Sequence, residues 1–160
     1  MAERAKSSVP EGMATVTSQM WFSGDCSQAI EFYQKVFDAQ LVGPAIPWPD
    51  SDTIMHAMLK IGDSNIMMAD AHPQAYEQGP GEHATVGLFC YFEDCDLYYD
   101  RAVKAGCVVL DEMMDAFWDD RMGKVKDPFG HTWAVGTHKW IYTPEEMQKN
   151  QQAWIEGRKW

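Results

Sequence analysis

The hydrophobic positions change their period several times along the chain, and each change marks an element. Thr15 to Phe22 is β-compatible and is broken by Ser23-Gly24-Asp25. Ala29, Ile30, Tyr33, Val36 and Phe37 then recur at the spacing of one helical face, and Asp25 followed three residues later by Gln28 is a capping-box pattern. The first unit therefore reads as strand, then helix. After Leu41-Val42, Pro44, Pro47 and Pro49 surround Trp48, too many prolines for a regular interior element, which predicts a loop carrying one large aromatic. Ile54 to Ile61 alternates as a strand, Gly62-Asp63-Ser64-Asn65 turns the chain, and Ile66 to Ala69 forms the next strand.

The same order of patterns then returns. Thr85 to Phe92 reads as a strand, Asp94 to Ala105 as a helix stopped by Gly106, and Cys107 to Leu110 as a strand followed by a loop from Asp111 to Asp120. Met122 to Lys126 is a strand, and His131 to Val135 closes the unit. Between them, Asp127-Pro128-Phe129-Gly130 is a tight turn: proline presets φ, glycine tolerates φ > 0, and aspartate bonds its own backbone two residues on. Asp25-Cys26 and Asp94-Cys95 lie 69 residues apart, and the two closing strands align at about 67. This spacing predicts an internal duplication of β-α-β-β-β units. Thr143-Pro144-Glu145-Glu146 then starts a terminal helix running to about Ile155, whose Met147, Trp154 and Ile155 are expected to pack on the body of the protein. The divisions are a loose arm over 1–12, a first module over 13–75, a linker over 76–84, a second module over 85–139 and a helical tail over 140–160. The class is α+β.

Composition removes several functions. A chain that is 46% hydrophobic, with 7 Trp, 7 Phe and 6 Tyr, carries enough apolar surface for a real core. A net charge of −11 is wrong for nucleic acid, whose backbone must be met by clustered cations. No apolar run has the length a membrane helix needs and the first residues are not signal-like, so a cytoplasmic protein is expected. Cys26, Cys90, Cys95 and Cys107 form no CxxC pair and read as reduced structural thiols.

A duplicated β-α-β-β-β unit with AIEFYQKVF on its first helix, DRAVKAG on its second and DPFGHTW at its last turn resembles the vicinal oxygen chelate superfamily of glyoxalases, extradiol dioxygenases and bleomycin resistance proteins. IMHAMLKIGDSNIMMAD, FWDDRMGKVKDPFGHTW, the following THK and TPEEM look most like its PhnB-like branch, over roughly residues 13 to 147. The resemblance implies two sheets curled into cups around a pocket, within a homodimer. In metal-dependent members it implies that each module gives one His or Glu ligand from its first strand and one from its last, holding a divalent ion with open positions. Carried across by the helix and turn motifs, those positions fall on Ser18, Met67, Gly87 and Ala134. None is a histidine or a carboxylate. A slip of one residue offers Thr17 or Gln19, Ile66 or Met68, Val86 or Leu88, and Trp133 or Val135, so no metal and no other cofactor is expected.

Other residues are candidates for a site. His56 looks into the cup if Met55, Ala57 and Leu59 pack under the helix, where it could act as an acid, base or hydrogen-bond donor. His131 and His138 read as structural or surface groups, and His72 and His83 flank the linker. Phe117-Trp118-Asp119-Asp120-Arg121 sets aromatic faces beside fixed charge, which suits an aromatic or cationic ligand; the PhnB-like pattern commonly has glycine where this chain has Asp119. On the parity of Ser18 and Gly87, Met20 and Phe22, and Phe89 and Tyr91, line the cup, with Trp48, Met58 and Met67 completing a soft wall. Two functions are compatible with these residues. One is metal-independent binding of a small aromatic or cationic molecule, such as drug sequestration. The other is a glyoxalase-type lyase or isomerase with displaced ligands, or acid–base chemistry at His56 helped by Asp120 or Arg121.

Overall fold

The computed structural model describes residues 4–157, and the chain divides into two units, Met1–Pro80 and Gly81–Trp160. The first contains β1 (Ser18–Phe22), α1 (Cys26–Phe37), β2 (Gln40–Leu41), β3 (Ile46–Pro47), β4 (Ile54–Ile61) and β5 (Ser64–Asp70). Its strands lie in the order β1-β5-β4-β2 with β3 also pairing β4, and β1 runs parallel to β5. The second contains β6 (Gly87–Tyr91), α2 (Cys95–Lys104), β7 (Val108–Asp115), β8 (Asp120–Lys126) and β9 (Thr132–His138), in the order β6-β9-β8-β7 with β6 parallel to β9. The tail helix α3 (Pro144–Gly157) follows. Both units are mixed-sheet α+β modules with one topology, so the duplication read from the spacing is present.

In the first unit, α1 buries Ala29, Ile30, Tyr33, Val36 and Phe37. Phe22 lies 6.4 Å from Tyr33 ring to ring, which puts the Met20/Phe22 face of β1 under the helix. By strand register Met68, Ala57, Ile66 and Leu59 share that face, and all are buried. In the second unit, α2 buries Cys95, Tyr99 and Ala102 above Gly123. A Cβ on Gly123 would come 2.6 Å from Tyr99 Cε2, so glycine is what allows this approach. Val125, Trp133 and Val135 complete the face by register, and each is fully buried. Burying one such side chain is worth about 1.5–3 kcal/mol, which explains why alternation in these strands is strict.

The helix starts are held differently. Asp25 does not form the expected capping box; its Oδ1 accepts from Ser23 N (3.1 Å). Asp70, at the end of β5, serves the start of α1 instead: its Oδ1 accepts from Gly24 N (2.9 Å) and Cys26 N (3.0 Å), and its Oδ2 from Ile54 N (2.7 Å). In α2, Asp94 caps Leu97 N (3.1 Å), and the Thr137 hydroxyl accepts from Cys95 N (3.1 Å) while donating to Phe92 O (2.8 Å). α3 does start with a capping box, Glu146 N donating to Thr143 Oγ1 (3.2 Å) and Thr143 N to Glu146 Oε2 (2.9 Å). Trp154 Nε1 reaches Met114 Sδ (3.4 Å), so this aromatic packs locally as expected, while Ile155 stays exposed.

The 127–130 turn behaves as its sequence dictates. Asp127 Oδ1 accepts from Phe129 N (3.0 Å) and His131 N (2.9 Å), its Oδ2 accepts from Trp133 Nε1 (2.8 Å), and Gly130 sits at φ 95°. Several boundaries differ from the reading. β7 extends to Asp115 because two register shifts against β8, on either side of Asp111, hide its period. The proline-rich stretch contributes β2 and β3 as short strands on β4; Pro47 is tolerated there because it stands at a register break on a two-residue strand. Residues 10–13 form a turn tied to the sheet, with Asn65 Nδ2 donating to Gly12 O (2.6 Å), where a loose arm was expected. All four cysteines are free thiols, and burial pushes Cys26, Cys90 and Cys107 up to about 12. Among the described residues no helix is long and apolar enough to cross a membrane.

Candidate functional site

The strands of the second unit have a second face, opposite α2. Register places Asp120, Met122, Lys124, Ala134, Gly136 and His138 on it, with Phe89 opposite Ala134 and Tyr91 opposite Gly136. Gly136 is necessary here: a Cβ would lie 2.8 Å from Phe89 Cε1 and 3.3 Å from Arg121 O, so the Phe89 ring rests where a side chain would be. Phe89 and Tyr91 stack at 4.7 Å between ring centroids with 26° between planes, and they are 41% and 60% exposed. Two aromatic rings held in this manner form a solvent-facing shelf. Beside them, Ala116, Met122 and Ala134 form a buried apolar cluster that Met114 and Trp118 pack against.

Asp120 is the polar centre of this face and is only 2% exposed. Its Oδ2 accepts from Tyr91 Oη (2.9 Å) and Trp118 Nε1 (3.0 Å), and its Oδ1 lies 3.0 Å from His138 Nδ1. A buried carboxylate is tolerable only when its oxygens are met by donors, and here three side chains do so. Burial and the hydrogen bond to Asp120 raise the Tyr91 phenol above its ordinary value, so it remains a neutral donor. His138 was read as structural or surface; cross-strand pairing with Asp120 makes it a member of the cluster.

Arg121 does not join them. Successive strand residues face opposite ways, and its side chain reaches to α2, where Nε and Nη2 each bond Asp96 at 2.7 Å and Nη1 bonds Asp115 at 3.2 Å. It is a brace, and the expectation that it faces a ligand is corrected. Asp119 adopts φ 50°, a conformation natural to glycine. Its carboxylate accepts from Tyr142 N (2.7 Å) and its carbonyl from Lys139 N and Trp140 N (2.9 Å each), which fastens the loop to the segment after β9. Phe117 stands edge-on to Trp118 and 5.5 Å from Trp154 of α3.

In the first unit the candidates separate. Met20 and Phe22 face α1, not the open side: three residues join β1 to α1 and β6 to α2 alike, but β1 meets β5 one step out of register with the β6–β9 pair, so Met20 stands opposite Met68 where Cys90 stands opposite Val135. Gln19 and Trp21 take the open side, with Gln19 opposite Met67 and Met58 also opposite Met67. The β3–β4 register skips Met55, so Ile54 is buried while His56 stays half-buried on the parity of Met58. His56 has no hydrogen-bonded side-chain partner among the described residues, and the imidazole joined to Asp120 is His138. Trp48 lines a cleft of about 610 Å³ with Ser51, Thr53 and Glu77 among others, its ring 4.6 Å from that of His72, and it shares a smaller hollow with Trp21. Met58 and Met67 line neither of these hollows.

The paired open-face positions are Gln19–Met67 in one module and Phe89–Ala134 in the other. They present no imidazole and no carboxylate, a donor set that does not fit a divalent cation. Among the described residues no three His, Cys, Asp or Glu side chains converge as ligands.

Comparison with known proteins agrees with this architecture. Over 117 residues the chain is 37% identical to an uncharacterized protein of Mycobacterium bovis, covering 70% of this chain and 76% of that protein. A Pseudomonas aeruginosa protein of known structure, PA1353, superimposes with a TM-score of 0.67 at 23% identity, over 79% of this chain and 99% of that one. The PhnB protein of Bacillus cereus gives a TM-score of 0.63 at 17% identity, over 78% and 99% of the two chains. The sequence profile of the glyoxalase/bleomycin resistance protein/dioxygenase superfamily matches residues 16–135, and the chain belongs to that superfamily.

Proposed function

We propose that this chain is a metal-independent binding member of its superfamily, holding a small planar aromatic or cationic molecule on the open face of the second module, in the manner of drug sequestration. The observation that carries the reading is the exposed Phe89–Tyr91 stack standing directly beside the buried Asp120 carboxylate. Stacking surface supplies affinity for any planar ring, and a carboxylate behind it favours positive charge. The net charge of −11 attracts cations at longer range. The lack of any imidazole or carboxylate at the positions that the family resemblance gives for metal ligands supports binding over metal chemistry.

The test combines metal analysis of protein purified without chelator with melting shifts in basic aromatic compounds. The expected result is no stoichiometric metal and a saturable upward shift that Phe89→Ala with Tyr91→Ala abolishes. Tyr91→Ala also takes a donor from the buried Asp120 carboxylate, so that variant should melt below the parent without ligand, and the ligand-induced shift is read against the variant's own ligand-free melt. One tightly held metal ion per chain, or a shift indifferent to the two rings, overturns the reading. A homodimer is part of the same proposal, and sedimentation showing only an 18.2 kDa species at micromolar concentration would remove it.

A further inference from the structure

We infer that His138 is an orientation-locked hydrogen-bond acceptor on this face, selecting planar cations that carry an N–H donor and releasing them on acidification; this rests on the binding reading above. The argument begins at Asp120. An ionised carboxylate has acceptor sites and no proton to give, so each of its partners must donate. Tyr91 Oη and Trp118 Nε1 are donors to Oδ2, and the third partner, His138 Nδ1 at 3.0 Å from Oδ1, must therefore carry the ring hydrogen. In a neutral imidazole the other nitrogen, Nε2, is then the acceptor. The Asp120 side chain is 3% exposed, whereas that of His138 is 59% exposed, so the lone pair is available to a ligand.

Two further features make this a receptor and not a surface contact. Tyr91 and His138 bond the same carboxylate, which fixes the imidazole beside the aromatic shelf. The neighbouring charges are committed elsewhere. On β8, Lys124 pairs with Asp111 of β7 (3.2 Å), while Arg121 turns to Asp96 of α2 and Asp115 of β7. Lys139 lies over the Trp140 ring, and the Asp119 carboxylate holds Tyr142 N. A planar cation on Phe89–Tyr91 can thus donate an N–H to Nε2 with the Asp120 charge behind it. Protonating Nε2 reverses the site, replacing an acceptor with a donor and adding a positive charge next to the bound one.

The experiment uses the full chain and two dyes, followed by fluorescence from pH 8 to pH 5, the span over which histidine ordinarily changes charge. Proflavine is planar, bears amino N–H groups and stays singly charged while histidine titrates; methylene blue is planar and cationic but has no N–H. Proflavine affinity should fall steeply across this span as the pH is lowered, while methylene blue affinity should fall more shallowly. His138→Gln should flatten the proflavine profile. Nitrogen NMR of the native protein reads the orientation without any ligand: Nδ1 should carry the hydrogen and Nε2 should be bare at pH 8. Both dyes bound with identical pH profiles, or Nε2 bearing the hydrogen, would overturn the inference and leave the binding reading standing. If neither dye binds at any pH, the binding reading fails and takes this one with it.

Discussion

The two modules share a topology and differ, apart from the Asp127 turn, in which face carries a buried carboxylate. Counting outward from the paired residues Ala57–Met68 and Gly123–Val135 sets Asp70 of the first module at the place of Thr137 in the second. The same count sets Ile54, Ala71 and Trp21 of the first where Asp120, His138 and Tyr91 stand in the second. In the first module the carboxylate faces the helix and holds three backbone N–H groups; in the second a hydroxyl does part of that work and the carboxylate is on the open face. A duplicated scaffold can thus leave one copy to be stabilised by charge and the other to present it. The difference lies in four residues, not in fold.

The largest expected effect breaks the first half of that comparison. Asp70→Ala leaves Gly24 N, Cys26 N and Ile54 N without their acceptor in a buried setting, and each such loss costs roughly 1–3 kcal/mol. A destabilisation of about 3 kcal/mol or more is expected in urea unfolding, while Thr137→Ala, which takes the acceptor from Cys95 N and the donor from Phe92 O, should cost about 1–2 kcal/mol. Equal losses for the two would mean that the carboxylate and the hydroxyl do the same work.

Next comes the close packing of α2 in the second module. Gly123→Ala would put a Cβ 2.6 Å from Tyr99 Cε2 and 2.7 Å from Met113 Sδ, overpacking a buried contact at a cost of about 1–3 kcal/mol. Gly136→Ala should be milder in stability, since the Phe89 ring it displaces is partly exposed, but it should cost the ligand-induced melting shift. The pair separates the helix side of β8 and β9 from the open side with two substitutions of the same kind.

These details were unevenly legible in the sequence. Element order, the duplication and the Asp127 turn follow from periodicity and turn chemistry, and the β4 boundaries coincide with the alternating run. The face of β1 does not follow, because a one-residue shift in its pairing with β5, relative to that of β6 with β9, inverts strand parity without disturbing any hydrophobic pattern. Asp70 lies one residue beyond the strand predicted over Ile66 to Ala69, and nothing in the local pattern gives it a partner; only folding brings it under the start of α1. His138 was recoverable. Extending the β8–β9 hairpin outward from the Asp127 turn pairs residue 120 with residue 138, but β9 was ended at Val135, three residues too soon. Bulges hid β7 in the same way, since an alternation rule fails wherever two residues oppose one.

The smallest effect tests whether Arg121 belongs to the brace or to the ligand face. Its bidentate bonds hold the Asp96 carboxyl below its ordinary value, chiefly through those hydrogen bonds. A folded-state value depressed in this manner means stability that is present above the unfolded carboxylate range, about 4, and lost as pH falls through the lower folded value. The Asp96 side chain is 48% exposed, so solvent screening limits the contribution to under about 1 kcal/mol. Asp96→Asn should therefore be slightly less stable than the parent at pH 7 and indistinguishable from it at about pH 2, in parallel urea titrations. The ligand-induced melting shift should be unchanged, because Arg121 and Asp96 lie on the helix side. A shift that weakens along with the brace would place Arg121 in the binding site and dissolve the division of the second module into a structural face and a presenting one.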